Sequence, residues 1–352
     1  MFEEALKNLA YLSKAAGTPV EYTQGGGGNT SVKLDEELMA VKASGFKLKQ
    51  ITPKEGYVVL NYKKIREYYD QVDLREDRDY EKESAELVKA CVMETEGLKK
   101  LRPSVEAGFH SILCKYVVHT HPVYANILCC SQNGKELVRE IFESDDFATA
   151  WIPYINPGFC LTIKIRETIR KSMEETGRFP QVIFMENHGL IATADDSGEC
   201  FELHRRTNDA IRDYFGIREE YPQLKLSKLD DNTFISRTEY LTAYFRNHPI
   251  SCHLFDETVL YPDQLVYLNG NLSVDGRNNK MNIDTKTGEI LYKTNESEAQ
   301  TMEEALLAYI YIIDHIGKLG LQRKTMSAGD IDFIANWESE RYRKSLVKDL
   351  AR

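Results

Sequence analysis

His119-Thr120-His121 is the pair of residues best placed to do chemistry. In an extended segment, residues i and i+2 project to the same face, so the two imidazoles converge while Thr120 points away. A third donor then has to come from elsewhere in the chain. Glu186-Asn187-His188-Gly189, at the end of the next well-formed strand pattern, offers His188. Three neutral imidazoles leave one tetrahedral position open, which distinguishes a catalytic zinc from a closed structural one. Two histidines in a strand are equally well accounted for as packed side chains with hydrogen bonds. The neighbouring residues therefore have to decide.

Glu106 lies a short way upstream, in Arg102-Pro103-Ser104-Val105-Glu106-Ala107-Gly108-Phe109-His110. Pro103-Ser104 opens a helix, with Ser104 as its N-cap. A carboxylate in the first turn of a helix that leads into the His-x-His strand can enter the same pocket and exchange a proton there. The same acid is also favourable at a helix N-terminus without any catalysis. His110, one turn later, reads as a packed, hydrogen-bonded side chain. A third feature is the run Gly25-Gly26-Gly27-Gly28-Asn29, whose consecutive N–H groups can form an anion-binding concavity. Thr30, Ser31 and Ser44-Gly45 lie close to it, and Lys33, Lys42 and Lys47 supply local positive charge. A flexible hairpin turn explains a glycine run equally well, and no Gly-Lys-Ser/Thr follows to make it a P-loop.

These residues need elements to hold them. Periodicity predicts helices over 3–16, 80–98, 161–176 and 197–214, with shorter ones near 123–130 and 134–143. Strands are expected at 30–34, 38–43, 116–119, 149–154, 182–185 and from His188 to Thr193. The chain changes character after about residue 225. Strands at 265–268 and 289–292 surround an Asn/Gly-rich region, and helices follow near 302–318 and 328–349. Tyr240, Tyr244 and Phe245 read as core. This divides the chain into residues 1–228, carrying the chemistry, and a smaller α/β appendage over 229–352.

Composition narrows the functional classes. The 352 residues are 42% hydrophobic and 28% charged, as expected of a globular protein. A net charge of −10 argues against a nucleic-acid or anionic-membrane surface. The opening residues do not form a secretory signal, and no run approaches the roughly 18 apolar residues of a membrane helix. Seven irregularly spaced cysteines suit reduced thiols in a cytoplasmic protein.

Taken in order, Gly28-Asn29-Thr30-Ser31, Ser44-Gly45, Pro103-Ser104-Val105-Glu106 with His110, His119-Thr120-His121-Pro122 and Asn187-His188-Gly189 resemble the class II aldolase/adducin family. The resemblance covers roughly residues 1–225. With Ile155-Asn156-Pro157-Gly158-Phe159, the chain length and the tail, it looks most like the aldolase half of bifunctional rhamnulose-1-phosphate aldolase/dehydrogenase proteins. It implies a three-layer α/β/α core with a mostly antiparallel central sheet, assembled as a homotetramer with sites near subunit interfaces. It also implies one Zn²⁺, or another divalent metal, per subunit on His119, His121 and His188, with Glu106 as acid/base. A substrate phosphate would lie near Gly28, Asn29, Ser44, Gly45 and Ser104. The implied reaction is reversible cleavage of a ketose 1-phosphate into dihydroxyacetone phosphate and an aldehyde. Sugar-phosphate 4-epimerisation or dehydration uses the same scaffold, and adducin-like relatives are non-catalytic interaction modules. Many relatives carry a second hydroxyl residue just before the glutamate; here it is Val105, so one side-chain contact to a phosphate is missing.

Overall fold

The computed structural model describes residues 2–94, 99–248, 250–251, 253–276 and 279–336. Among these, seven strands form the central sheet: β1 Asn29–Lys33, β2 Leu38–Lys42, β3 Tyr57–Asn61, β4 Tyr116–Thr120, β5 Ala148–Ile152, β6 Pro180–Met185 and β7 Gly189–Ala194. Their order is β3-β2-β1-β4-β7-β6-β5. Every neighbouring pair is antiparallel except β5 and β6.

The apolar runs in the central strands are continuous because both faces of the sheet are covered. Tyr116 and Val118 of β4 enter one core and Val117 the opposite one, while Leu190, Ala192 and Ile191 of β7 divide in the same way. This is the two-residue side-chain period of a strand buried on both sides. Helices Glu3–Gly17, Val123–Cys129 and Ser197–Tyr214 cover the first face. Helices Tyr62–Gln71, Tyr80–Ala90, Ala107–Ile112 and Phe159–Thr176 supply the cores of the other.

A second sheet follows, of five strands among the described residues: β8 Leu226–Asp230, β9 Thr233–Ser236, β10 Leu272–Val274, β11 Met281–Asp284 and β12 Glu289–Lys293, in the order β10-β11-β12-β9-β8. Helix Glu296–Lys318 then returns to the main body. It is capped by Asn295, whose side chain accepts the Glu298 N–H at 2.9 Å. Its Leu306, Ile310 and Ile313 share one core with Ile127 and Leu128 of the first region, and Phe234, Met281 and Ile290 of the small sheet join the same cluster. Phe245 is fully buried there, with Tyr240 and Tyr244 packed against it.

Several elements differ from the pattern. Residues 265–268 are not a strand but fall at the end of helix Pro262–Tyr267, which has proline at its first turn. A four-residue apolar run fits a buried strand and a buried helix equally well, and the preceding proline favours a helix start. Helix 80–98 ends at Ala90, and residues 95–98 lie outside the described residues. The final helix is described over Ala328–Asn336, and the rest of the expected 328–349 span lies outside. Strand β3 and helix Tyr62–Gln71 are further elements of the main body: Tyr57-Val58-Val59-Leu60 is a buried apolar run, and Tyr62, Ile65 and Tyr69 form the buried stripe of the helix. Among the described residues, no helix is long and apolar enough to cross a membrane.

Leu306 is wholly buried at the seam between helix Glu296–Lys318 and the main core. Leu306→Ala is expected to cost about 2–5 kcal/mol. Urea unfolding followed by circular dichroism and by tyrosine fluorescence should show one transition moved to lower urea in both signals.

Candidate metal centre

Strand β4 places Thr120 and His119 on opposite faces of the sheet. Thr120 turns toward helix Ser197–Tyr214, where its Oγ1 lies 2.7 Å from His204 Nε2. His119 turns the other way, and His121, just past the strand end, follows it. Their Nε2 atoms lie 3.2 Å apart. His188 arrives through the tight connection between β6 and β7, and β7 is the direct neighbour of β4, with Thr120 opposite Leu190. Asn187 adopts φ 51, and Gly189 fits where a Cβ would lie 2.4 Å from the Thr120 carbonyl oxygen. Only a residue without a Cβ allows that approach. The three rings are separated by 4.9, 5.0 and 5.2 Å between centroids. One ligating atom from each lies within 4.8 Å of the others, and all three residues are buried.

The hydrogen bonds decide which nitrogens face the centre. His119 Nδ1–H donates to the Leu190 carbonyl at 3.0 Å, since a carbonyl can only accept. His121 Nδ1–H donates to the Asp263 carboxylate at 2.6 Å. With neutral rings, both Nε2 atoms then carry bare lone pairs, which face one another across 3.2 Å. Two acceptors at that separation need a cation or a proton between them. A tetrahedral zinc with bonds of about 2.0–2.1 Å separates its nitrogen ligands by roughly 3.4 Å, so the spacing fits a metal ion. Burial holds the His119 pKa down to about 4, which keeps the ring neutral and able to ligate at neutral pH.

Glu106 sits beside this cluster. It occupies the N-cap position of helix Ala107–Ile112 rather than the first turn of a helix capped by Ser104. Ser104 opens the turn that leads into this helix: its hydroxyl oxygen accepts from the Glu106 N–H at 3.3 Å and from Asn29 Nδ2 at 3.2 Å, and its carbonyl accepts from the Ala107 N–H at 3.2 Å. The Glu106 oxygens lie 3.6 Å from His119 Nε2 and 3.4 Å from His188 Nε2. Asn29 Nδ2 also donates to Glu106 Oε2 at 2.6 Å. The amide of Asn29 is oriented by His110, whose Nε2 bonds Asn29 Oδ1 and whose Nδ1 accepts from Ser31 Oγ at 2.7 Å. Burial, then the nearby His119, pushes the His110 pKa well below the usual histidine value, so this relay is uncharged.

The glycine run is not an open row of donors. The Gly25 N–H donates to Glu304 Oε2 at 2.8 Å, Gly26 to the Tyr267 hydroxyl at 2.9 Å and Gly27 to the Gln24 carbonyl at 3.0 Å. The expected concavity over Gly25–Asn29 is therefore closed along its first three members by protein partners. Gly28 and Asn29 do line the cleft, together with Ser44, Gly45, Ser104, Glu106, His121 and His188. Of the three expected lysines, buried Lys42 lines it too and donates to the Gly26 carbonyl at 3.2 Å. Lys33 instead bonds the carbonyls of Leu113 and Cys114, and Lys47 lies 3.6 Å from Glu304. The cleft holds about 50 Å³ and adjoins a chamber of about 390 Å³ that shares Ser44, Ser104 and Val105 with it.

Sequence reasoning missed Asp263, Tyr267 and Glu304, which reach the site from the far part of the chain. No local pattern marks them, since an acid in an apolar run carries no periodicity of its own. In sequence Lys42 offers no signal beyond its charge.

The chain belongs to the class II aldolase and adducin N-terminal domain family, whose model matches residues 7–214. It is 29% identical over 208 residues to an uncharacterized oxidoreductase of Bacillus subtilis, YuxG, covering 56% of this chain and 28% of that protein. It is 26% identical over 208 residues to a 3-oxo-tetronate 4-phosphate decarboxylase of Haemophilus influenzae, covering 56% of this chain and 80% of that protein. The chain thus spans under a third of the first relative and four fifths of the second. Among solved structures, the N-terminal class II aldolase domain of a conserved protein from Thermoplasma acidophilum matches 61% of this chain and 95% of its own, at 22% identity and a TM-score of 0.49. An L-fuculose 1-phosphate aldolase matches 61% of this chain and 86% of its own, at 19% identity and a TM-score of 0.41.

The buried histidines predict a pH dependence. The folded state holds His119 near pKa 4 and His204 near 3, while the unfolded chain titrates near the ordinary value of about 6.5. The unfolded state therefore binds more protons as pH falls below 6.5, and stability drops with it. Through these two groups, urea midpoints of metal-free protein should decline steadily from pH 6.5 toward 4.

Proposed function

We propose that this protein is a metal-dependent carbon–carbon lyase that reversibly cleaves a ketose 1-phosphate to dihydroxyacetone phosphate and an aldehyde. The observation that carries the reading is a carboxylate within 3.4–3.6 Å of two of three convergent histidine nitrogens, in a cleft that also presents Lys42, Asn29, Ser44 and Ser104. His119, His121 and His188 would hold one divalent ion, with Zn²⁺ the best match to three imidazoles and an open position. Such an ion supplies Lewis-acid stabilisation of the negative charge left on the three-carbon fragment when the bond breaks.

The remaining work falls to the chain. Glu106 stands at the mouth of the cluster, 8% exposed, where it can carry a proton to and from the cleaved carbon. Asn29 fixes that carboxylate by donating to Oε2, and His110 fixes Asn29. The phosphate is assigned to the wall formed by Gly28, Asn29, Ser44, Gly45 and Ser104, with the Lys42 ammonium as its counter-charge. Val105 adds an apolar surface and no hydroxyl. The adjoining chamber gives the sugar more room than the 50 Å³ cleft alone. The metal ligands and Glu106 all fall within residues 1–228, and the whole chain would assemble as a cytoplasmic homotetramer.

A second reading comes from the decarboxylase relative. Loss of CO₂ from a 3-oxo acid phosphate also breaks a carbon–carbon bond and leaves charge on a fragment, so the same residues serve both reactions. Incubation with a ketose 1-phosphate panel and with a 3-oxo-tetronate 4-phosphate separates them, since one yields an aldehyde and the other CO₂. Epimerisation or dehydration would give neither.

Two substitutions test the roles. His119→Ala should abolish zinc retention after dialysis, measured by metal analysis, together with turnover. Glu106→Gln should keep the metal and lose about 10²-fold or more in kcat. Full-rate cleavage by metal-free protein would overturn the proposal.

A further inference from the structure

Asp263 lies outside residues 7–214, the span matched by the family model, yet its carboxylate lies 2.6 Å from a ring nitrogen of one of the three clustered histidines. Its carboxylate is 1% exposed and accepts from His121 Nδ1 at 2.6 Å. The space around it is built to hold it there: a Cβ on Gly27 would lie 2.4 Å from Asp263 Oδ2. The backbone beneath it is also fixed. Gln264 is fully buried, and its amide donates to the Phe255 and Thr258 carbonyls while its oxygen accepts the Leu260 N–H at 2.9 Å.

The same short turn reaches the other side of the site. Asn187 Nδ2 donates to the Leu260 carbonyl at 2.7 Å and to the Lys324 carbonyl at 2.7 Å, which pins the φ 51 residue that presents His188. Tyr267, at the end of the helix that Asp263 helps to begin, takes the Gly26 N–H. One segment from the far part of the chain thus contacts His121, the turn before His188 and the glycine run.

We propose that Asp263 is a positioning residue for the metal ligand His121, and that the segment around it completes the metal centre. The proposal rests on the metal-centre reading above. An imidazole has two tautomers, and only the Nδ1–H form points a lone pair from Nε2 at the metal. The Asp263 carboxylate selects that form because it can only accept. An asparagine amide can donate instead, and would then hold Nδ1 as an acceptor and leave the proton on Nε2. A carboxylate serving merely as a buried countercharge would influence folding without governing the tautomer of a metallated ring.

The test uses the full chain. Zn²⁺ affinity is measured by competition with a chromogenic chelator, and Co²⁺ loading is followed by its visible absorption bands, for wild type, Asp263→Asn and Asn295→Ala. Asn295 caps a helix of the same region without touching the site. Asp263→Asn is expected to bind Zn²⁺ about 10–100-fold more weakly, in the range found for partners of metal-bound histidines, and to change the Co²⁺ spectrum. Asn295→Ala should bind within about twofold of wild type. Asp263→Asn at wild-type affinity with an unchanged spectrum overturns this proposal and leaves the metal centre intact. Failure of the wild-type chain to bind either ion overturns the metal centre itself. Where Asp263→Asn does not fold, nitrogen-resolved proton NMR of Zn²⁺-loaded wild type decides. A downfield Nδ1–H of His121 supports the proposal, and a His121 proton on Nε2 overturns it.

Discussion

Two imidazole nitrogens with bare lone pairs cannot rest 3.2 Å apart unless a positive charge stands between them. That constraint organises the rest of the site. The Leu190 carbonyl and the Asp263 carboxylate each take an Nδ1–H, and in doing so turn both lone pairs inward. Burial keeps His119 neutral, so its Nε2 is free of a proton and able to ligate. The β6–β7 connection supplies the third ring because β7 is hydrogen-bonded directly to β4.

Around this centre the polar network is layered. His110 holds Asn29, Asn29 holds Glu106, and Glu106 lies between two of the histidines and the cleft. Every member is buried and each has a partner, which is the condition for a buried polar network to add order rather than cost stability. The sheet makes the arrangement stiff: β1 carries Asn29 and Ser31, β4 carries His119, and the two strands are paired with Asn29 opposite His119. Asn29 and His119 are therefore mounted on adjacent strands, where a shift of one would tear a ladder of hydrogen bonds.

The residues beyond 225 take part in both the core and the site. Helix Glu296–Lys318 shares a continuous apolar cluster with helix Val123–Cys129, while Glu304 and Tyr267 occupy N–H groups that an isolated glycine loop would leave open. A change in sequence character along the chain is thus compatible with one shared interior, because burial follows area and shape rather than chain order.

From residue types and spacing alone, the chain indicated that His119 and His121 share a face, that His188 is a candidate third ligand and that Glu106 can enter the same pocket; the antiparallel sheet and the place of Asn29 came from the ordered set of motifs and the family it resembles. The shared face is periodic, and a strand's two-residue repeat writes it directly into the sequence. Tertiary structure alone decided which N–H groups of the glycine run remain available, where the Ala107–Ile112 helix begins, and that a helix, not a strand, follows Pro262. It alone brought Asp263 to His121, across 142 positions of chain. Contacts at such a separation depend on how whole layers pack, and a single buried acid carries no periodic trace of the partner it will meet.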